Sequence, residues 1–425
     1  MLAQVSSKGA RRWNDGHPWI YRSDVTIAPT GDAGAVRVQD HRGRELGWAL
    51  WSPRSEISLR LLDRNTDARI DADWWRTQLA RAIARRRSLA DTDDVNAYRL
   101  VHGEADGLPS LIVDRYDKWL VVQLLSAGLE RFRADIVGAL HDLTSPLGVL
   151  ARNDVPVRAK EGLPVDSELL AGEVPRTIEV REHGVRYYAA PWDGQKTGAF
   201  LDQRENRALV GRIARGRALD CFSYHGSFAL HLARGADSVI ALDSSGAALA
   251  RAKENAALNG IANIEMVEAN AFDKLRELSS DRARRFDTIV LDPPAFAKTR
   301  ASLPGALRGY KEINLRAMRL LAPGGLLFTA SCSFHLTKPL FLEMLDDAAA
   351  DSGRRLALRE LRGQPLDHPE VLTIPESGYI KGVVVEAMEW RFEIRDSRFG
   401  AEHLRSSESA VPNLQSRISN LDAHP

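Results

Sequence analysis

The chain carries two kinds of hydrophobic pattern, and the change between them falls near residue 204. Before it, short apolar runs such as 35–38, 46–51 and 57–62 are separated by glycine, proline and charged residues. This pattern is typical of the strands of a small barrel or sandwich. After it, apolar runs of strand length alternate with segments whose apolar residues recur at helical spacing. The alternation predicts a parallel sheet with helices on both faces.

The second half gives the more regular prediction. Strands are predicted over 217–221, 239–243, 264–268, 288–291 and 326–331, and helices over 228–233, 247–259, 272–278, 311–321 and 339–352. Ligands of such folds bind at the carboxyl ends of the strands, so the residues that follow each predicted strand are the ones to examine.

The first half is predicted to hold two further domains. A helix beginning at Asp73 follows the first β-rich stretch, and a second β-rich stretch with a helix near 129–143 runs over 98–186. The fold class is therefore α/β, preceded by smaller domains. We predict a small β-barrel over 1–73, a central α+β domain over 74–186, an α/β domain over 187–395 and a polar, weakly periodic tail over 396–425.

The balance of basic and acidic residues shows that the protein is not basic as a whole. Lys and Arg number 58 against 57 Asp and Glu, a formal net charge of +1. A nucleic-acid surface would have to come from local clusters, such as the arginine face formed by Arg81, Arg85, Arg86 and Arg87, although a solvated helix face explains it too. Trp13, Trp19, Trp48 and Trp51 could stack on RNA, but core packing is the simpler interpretation for most of them.

The two cysteines, Cys221 and Cys332, exclude a disulfide framework and a cysteine-rich zinc site, and they fit a reducing compartment. No secretory signal is evident, and no apolar run approaches the ~18 residues that a membrane span requires. The sequence therefore predicts a soluble cytoplasmic protein without a metal site.

A cofactor site is predicted after the first two strands of the α/β domain. Gly226 lies at the first strand-to-helix turn, and Asp243 ends the second strand, where an acid can hold ribose hydroxyls. A nicotinamide enzyme would need three glycines around its pyrophosphate, whereas bulky Tyr224 and Phe228 stand here. S-adenosylmethionine has ribose and adenine but no phosphate, so it fits better. A plain turn glycine followed by a capping carboxylate is the alternative.

The third strand is followed by Asn270 and Phe272, an amide and an aromatic that suit adenine. An N-cap and a core phenylalanine would give the same pattern.

A reaction centre is predicted after the last two strands. Asp292 precedes two prolines and then Phe296, and Cys332 follows the fifth strand. A thiolate that adds to carbon 6 of a pyrimidine makes carbon 5 nucleophilic, and an acid at ring nitrogen 3 stabilises the adduct. Cys332 also fits a small buried hydrophobe, and Cys221 is predicted to be structural. His335 is left open as a base, a cofactor neighbour or a loop residue.

These motifs resemble those of the bacterial large-subunit ribosomal RNA cytosine-5 methyltransferases that carry an N-terminal PUA domain. The resemblance covers about residues 5–390. Its motifs are HPWIY at 17–21, HGE at 102–104, DGLP at 106–109, LIVDRY at 111–116, QKTGAFLDQR at 195–204, RGYKEIN at 308–314, SCS at 331–333, DHP at 367–369 and YIKG at 379–382. His225 and Asn270 depart from the family's more frequent Thr and Asp.

The resemblance implies a role for each matching residue. The implied cofactor-binding residues are Phe222, Ser223, Tyr224, Gly226, Asp243, Asn270 and Asp292, with Gln195, Lys196 and Thr197 beside them. The implied catalytic residues are Cys332 and Asp292, and the implied substrate-binding residues are Phe296, Tyr310 and Lys311. The expected partner is large-subunit ribosomal RNA.

Several alternatives stay open. The resemblance implies cytosine, whereas the residues alone allow uracil. Methylation of an exocyclic amine such as guanine N2 is the second hypothesis, although such enzymes usually have Asn before the two prolines. A binding-only ribosome factor is the third, and the intact set of Gly226, Asp243, Asp292 and Cys332 speaks against it. The sequence does not identify the target nucleotide or the carbon-5 base, nor does it choose naked RNA or an assembly intermediate. A homodimer is one option for the oligomeric state.

Overall fold

The computed structural model describes residues 1–281, 283–297 and 299–388, so the predicted tail over 396–425 lies outside the described residues. The strands are β1 (Leu2–Val5), β2 (Trp19–Tyr21), β3 (Val25–Ile27), β4 (Gly34–Gln39), β5 (Glu45–Trp51), β6 (Ile57–Asp63), β7 (Ala97–His102), β8 (Leu111–Tyr116), β9 (Trp119–Leu124), β10 (Gly148–Arg152), β11 (Ser167–Gly172), β12 (Ile178–Glu182), β13 (Val185–Ala189), β14 (Arg217–Cys221), β15 (Ser238–Asp243), β16 (Ile264–Glu268), β17 (Phe286–Leu291), β18 (Leu321–Ser331), β19 (Leu356–Arg362) and β20 (Lys381–Ala387).

The helices are α1 (Ser7–Asn14), α2 (Ala72–Ala84), α3 (Arg87–Ala90), α4 (Ala127–Glu130), α5 (Arg133–Thr144), α6 (Pro156–Glu161), α7 (Arg204–Ile213), α8 (Ser227–Leu232), α9 (Gly246–Leu258), α10 (Ala271–Ser280), α11 (Leu303–Leu320) and α12 (Lys338–Ser352). In the described part of the chain, none of them is long and apolar enough to cross a membrane.

The N-terminal sheet has six strands in the order β2-β6-β5-β4-β1-β3. Predicted strands 35–38, 46–51 and 57–62 are confirmed as β4, β5 and β6. The inward residues of these strands bury a core with α1, and Trp13 and Trp51 lie in it at 1% and 6% exposure. These two tryptophans therefore pack in the core, as the simpler interpretation expected.

The central sheet has the order β11-β10-β9-β8-β7, and α2 packs against α5 over it. A separate hairpin, β12-β13, follows. Val180 and Tyr187 of this hairpin share a buried cluster with Tyr116 of β8 and Leu230 of α8. The segment near 180–188 is thus packed between the central sheet and the following α/β sheet.

The C-terminal sheet has seven strands in the order β16-β15-β14-β17-β18-β20-β19. Strands β14 to β18 are mutually parallel, and β20 runs antiparallel between β18 and β19. Helices cover both faces, since one apolar cluster contains residues of α10, α11 and α12 and the other contains residues of α7 and α8. The predicted α/β architecture is confirmed.

Candidate active site

Parallel pairing brings the ends of the central strands together. Cys221 of β14 lies opposite Leu291 of β17, and Leu291 lies opposite Thr329 of β18. Asp292 and Cys332 therefore emerge from neighbouring strands at one edge of the sheet, beside the loop after β14. The predicted cofactor loop and the predicted reaction centre share this edge.

The loop after β14 is tightly wound. Phe222, Tyr224 and Gly226 have φ values of +64°, +50° and +77°, a left-handed region that costs energy for side chains other than glycine. At Gly226, an added Cβ would lie only 2.9 Å from the Cβ of Ala252, so both space and conformation require glycine. The Tyr224 N–H donates to Asp243 Oδ2 at 2.9 Å, which ties the loop to the end of β15.

Asp220 at the end of β14 is a site residue that the sequence reasoning missed. It is 1% exposed, and burial raises the pKa of its carboxyl group to about 7. Ser223 Oγ donates to Oδ2 at 2.6 Å, whereas Oδ1 has no hydrogen-bond partner among the described residues. A buried acceptor without a donor is costly. S-adenosylmethionine carries an ammonium group that could satisfy it, so the residues present fit this cofactor.

Asn270 and Phe272, the residues predicted to face adenine, have structural roles and also leave groups available to a ligand. Asn270 caps α10, since its Oδ1 accepts from the N–H groups of Phe272 and Asp273 at 2.9 and 3.4 Å. These bonds use only the oxygen, so the amide nitrogen is left for a ligand. Phe272 packs against Phe296 with ring centroids 5.7 Å apart, and Phe296 lies 6.4 Å from Phe222. Three aromatic rings thus line the space between the loops after β14, β16 and β17.

The segment 195–197 lies beside the cofactor loop, but its three residues make different contacts. The Gln195 N–H donates to Tyr224 Oη at 3.4 Å. The Thr197 hydroxyl is buried and bonded to Asp114 Oδ2 at 2.6 Å, so it does not face the cofactor loop. Lys196 pairs with Asp202, and its charge acts on Asp292 and Cys332.

The two predicted catalytic groups influence each other. Burial and the charge of Asp202 raise the pKa of Asp292 to about 6, and the hydrogen bond from Gln203 opposes this rise. Burial, with the charge of Asp292, raises the pKa of the Cys332 thiol, which Lys196 opposes. An acid with a pKa raised to about 6 and a partly exposed thiol therefore follow adjacent strands. The other cysteine, Cys221, is fully buried within β14, in a position that suits the predicted structural role.

A hydroxyl cluster fixes the loop that carries Cys332. Tyr310 Oη is hydrogen-bonded to Ser331 Oγ and Ser333 Oγ, both at 2.9 Å, and Ser333 Oγ accepts from the Ala297 N–H at 3.1 Å. Lys381, which is 4% exposed, donates to the Ser333 carbonyl at 2.7 Å. The loops after β17 and β18 are thereby held together.

Two of the residues predicted to contact substrate lie elsewhere. Tyr310 is fully buried in the hydroxyl cluster, so it supports the loops instead of facing a substrate. Lys311 pairs with Asp351 at 2.9 Å and Asp347 at 3.8 Å on the outer face of α11 and α12. Phe296 stays half-buried at the site, with its ring tilted by 39° against the Tyr310 ring and the two centroids 4.6 Å apart.

The predicted arginine face also needs correction. Arg86 is 2% exposed, where Asp106 accepts from it twice at 2.7 Å and Asp367 accepts through its carbonyl at 2.9 Å. Arg85 pairs with the same Asp106 carboxylate. Arg81 and Arg87 remain exposed. Helical periodicity does not reveal such burial, because the partner acid is distant in the chain.

His335 lies edge to face with Phe334, and its role stays open.

Comparisons with known proteins match most of the chain. A family model described as S-adenosylmethionine-dependent methyltransferase matches residues 99–378, and a PUA-like domain model matches residues 3–64. The ribosomal RNA large subunit methyltransferase I of Tolumonas auensis is 42% identical over 380 residues, covering 88% of this chain and 96% of the relative. The protein of the same name from Shewanella amazonensis is 42% identical over 375 residues, covering 87% and 94%.

Solved structures show the same fold. A candidate S-adenosylmethionine-dependent methyltransferase of Streptococcus mutans superposes with a TM-score of 0.77 at 21% identity, covering 91% of this chain and 100% of that one. A methyltransferase structure containing S-adenosylhomocysteine (SAH) superposes with a TM-score of 0.78 at 20% identity and the same coverage. At these identities the likeness concerns the fold alone.

Proposed function

Because the chain belongs to the S-adenosylmethionine-dependent methyltransferase family, with a PUA-like domain at its N-terminus, we propose that it methylates carbon 5 of a cytosine in large-subunit ribosomal RNA. S-adenosylmethionine is its methyl donor. The proposed reaction passes through a covalent bond between Cys332 and the base.

One observation carries the proposed chemistry. Asp292 and Cys332 follow adjacent parallel strands, and the charge of Lys196 lowers the pKa of both groups. An amine methyltransferase needs no thiol, since an amine is already nucleophilic. A pyrimidine carbon needs both a sulfur nucleophile and an acid, and this site holds a thiol, Cys332, and an acid, Asp292.

The first step is addition to the ring. The Cys332 thiol, which is partly exposed, gives its proton to solvent, and the thiolate sulfur forms a bond to carbon 6 of the cytosine. Asp292 is suited to give its proton to ring nitrogen 3, because its pKa of about 6 leaves part of it protonated near neutrality. Electron density then accumulates at carbon 5. The Lys196 ammonium favours the thiolate form of Cys332.

The second stage is transfer and elimination. When bound, S-adenosylmethionine would supply an electrophilic methyl group to carbon 5, with cleavage of its methyl–sulfur bond and S-adenosylhomocysteine as the leaving group. A base then removes the carbon-5 proton, the sulfur–carbon bond breaks, and the Cys332 thiolate leaves. Asp292 takes back the proton from nitrogen 3, and the ring regains its aromatic form.

The substrate assignment is supported by the relatives. Two proteins 42% identical over nearly their whole length are named ribosomal RNA large subunit methyltransferase I. The PUA-like segment over 3–64 is the proposed RNA-docking domain, and exposed Arg81 and Arg87 offer further phosphate contacts. The mechanism places the base at the carboxyl edge of the C-terminal sheet, flipped out of its stack.

The test is methyl transfer to protein-free large-subunit RNA, with the product nucleoside identified by mass spectrometry. Wild type is expected to yield 5-methylcytosine, and Cys332→Ala none, while S-adenosylmethionine binding by that variant stays normal. Cys221→Ala is the matched control, since it removes the other thiol, which is fully buried in β14. We expect Cys221→Ala to keep its activity.

The product decides among the alternatives. An active Cys332→Ala enzyme, or an amine-methylated base such as N2-methylguanine, would remove the covalent mechanism. A 5-methyluracil product would keep the mechanism and change the base.

A further inference from the structure

A line of three hydrogen bonds runs from the edge strand β19 to the carboxyl group of Asp292. Arg362 Nε donates to Asn206 Oδ1 at 3.0 Å, and Asn206 Nδ2 donates to Gln203 Oε1 at 2.6 Å. Gln203 Nε2 then donates to Asp292 Oδ1 at 2.8 Å. Asn206 and Gln203 are 1% and 4% exposed, so water has little access to their side chains.

The direction of every bond follows from the first. A guanidinium group has only donors, so Asn206 must turn its oxygen toward Arg362. The Asn206 amide then has only N–H groups for its other partners, which are Gln203 Oε1 and the Gly363 carbonyl at 3.1 Å. Gln203 must in turn present its own N–H to Asp292. The guanidinium thus sets the orientation of an amide two residues further along the line.

We propose that Asn206 and Gln203 are positioning residues for Asp292, and that this one-way line fixes which carboxyl oxygen carries the proton. Oδ1 faces an N–H group and is kept as an acceptor, so the proton resides on Oδ2. This inference rests on the proposed function, in which Asp292 gives a proton to the base. The structure thereby links the edge of the sheet to the reaction centre.

Other charges act on Asp292 and must stay constant in any test. They come from Asp202, Lys196 and Arg207, while Cys332 and Asp220 respond to the Asp292 charge. Arg362 itself pairs with Glu360 at 2.7 Å. Substitutions at Asn206 and Gln203 leave all of these groups in place.

The most direct test reverses the donor and acceptor roles along this line of hydrogen bonds. In Asn206→Asp, the new carboxylate still accepts from Arg362 but cannot donate to Gln203. Gln203 is then expected to turn its N–H toward residue 206 and its oxygen toward Asp292, which must keep its proton to face it. Gln203→Met removes the last donor outright. Both changes should raise the pKa of Asp292, since a hydrogen bond to the charged form is lost. In Asn206→Asp the added negative charge acts in the same direction, whereas Gln203→Met adds no charge.

The readout is the rate of Cys332 alkylation by iodoacetamide as a function of pH, followed by peptide mass spectrometry without RNA. The profile should bend where Asp292 ionises, because that charge acts on the thiol. We expect the bend near pH 6 in wild type, where the pKa of Asp292 lies. In both variants it should move up by about one pH unit.

Asn263→Asp is the matched control. Asn263 precedes β16 at the opposite edge of the sheet and donates to the carbonyls of Ala233 and Ala236, so the substitution loses two bonds and adds the same charge. Its bend should not move. Thermal unfolding and S-adenosylmethionine binding identify the folded variants, and Gln203→Met decides the matter because it removes the donor without adding a charge.

An unmoved bend in either folded variant, or a wild-type profile without one, overturns the inference. Alkylation requires no methyl transfer, so the two proposals fail separately. If the bend moves as expected but Cys332→Ala still methylates RNA, the hydrogen-bond line stands and the covalent mechanism falls.

Discussion

A carboxylic acid that donates a proton near neutral pH has to resist ionisation, and Asp292 does so at a cost. Burial and the neighbouring Asp202 charge raise its pKa to about 6, against an ordinary value of 3.8. Above pH 6 the folded protein holds a carboxylate in a place that disfavours the charge. The same property that suits Asp292 for the proposed chemistry therefore weakens the fold.

Asp292→Asn should separate these two effects. The amide cannot give a proton to nitrogen 3, so kcat should fall about 10²–10⁴-fold, the range for loss of a general acid. At pH 7.5 the variant should be more stable than wild type by about 2 kcal/mol, because the buried charge is gone. Urea unfolding and single-turnover methyl transfer measure the two quantities.

The sign of the pH dependence is an internal control. The folded pKa lies above the unfolded one, so the wild-type penalty is complete above pH 6 and fades as pH falls toward 4. The stability gap between Asp292→Asn and wild type should close over the same interval. A gap that persists at pH 4, or an equally active variant, would contradict this account.

Residues whose role depends on a strand end were predictable, and residues whose role depends on a distant partner were not. Asp243, Asp292 and Cys332 follow apolar runs that the sequence displays directly. Gln203 belongs to a recognised motif, but its bond to Asp292 spans 89 positions in the chain. Lys381 likewise reaches Ser333 across 48 positions. Local pattern carries no signal for such contacts.

At the scale of elements, α11 is the support for the proposed reaction centre. Its inner face carries Tyr310 into the hydroxyl cluster. Its outer face carries Lys311 against α12. Two adjacent residues of one helix thus have different roles: Tyr310 holds the loops, and Lys311 forms ion pairs with α12.

Tyr310→Phe tests this support. Removing the hydroxyl leaves Ser331 and Ser333 without a shared partner, so stability should fall by about 1–2 kcal/mol. The loop that carries Cys332 should loosen, and kcat should fall about 10- to 100-fold with cofactor affinity unchanged. Lys311→Met on the same helix is the control and should keep full activity. Equal activity of the two variants would mean that the cluster does not position the loop.

Elements with long apolar runs were predicted well, and those with interrupting residues were not. Strands 217–221 and 264–268 coincide with β14 and β16. Helix 311–321 was placed too late, because Pro304 and two glycines precede it, although proline is well tolerated in a first turn. Strand β18 begins at Leu321 rather than at 326, since its Pro-Gly-Gly stretch resembles a loop. Strands β2 and β3 have only three residues each, too few to show alternation.

At the scale of the whole molecule, a buried ionic network joins the central sheet to the C-terminal one. Asp367 accepts from both terminal nitrogens of the Arg204 side chain at 2.8 and 2.9 Å. It also accepts from the backbone N–H of Arg99 at 2.8 Å. The charges of His368 and Arg204 outweigh burial and hold the pKa of Asp367 far below its usual range. Residues of β7, α7 and the loop before β20 thus meet at one carboxylate.

Asp367→Asn should therefore be costly. An unpaired buried Arg204 is left behind, and the loss should be about 3–5 kcal/mol at pH 7 in urea unfolding. The stabilisation by Asp367 exists above the unfolded pKa and is lost as pH falls below it, so the gap to wild type should shrink below about pH 4. Asp346→Asn, an exposed change on α12, is the control with no expected loss. A gap that stays constant with pH would point to packing rather than charge.

The reversed direction of β20 has a practical consequence for labelling and immobilisation. Because β20 is antiparallel to its neighbour β18, it starts at Lys381 beside the reaction centre and ends at Ala387 on the opposite rim of the sheet. Seven residues of strand separate the two ends, about 20 Å. A dye or linker joined to the side chain of residue 388, which is 47% exposed, would therefore be attached at the rim opposite the one that carries Cys332.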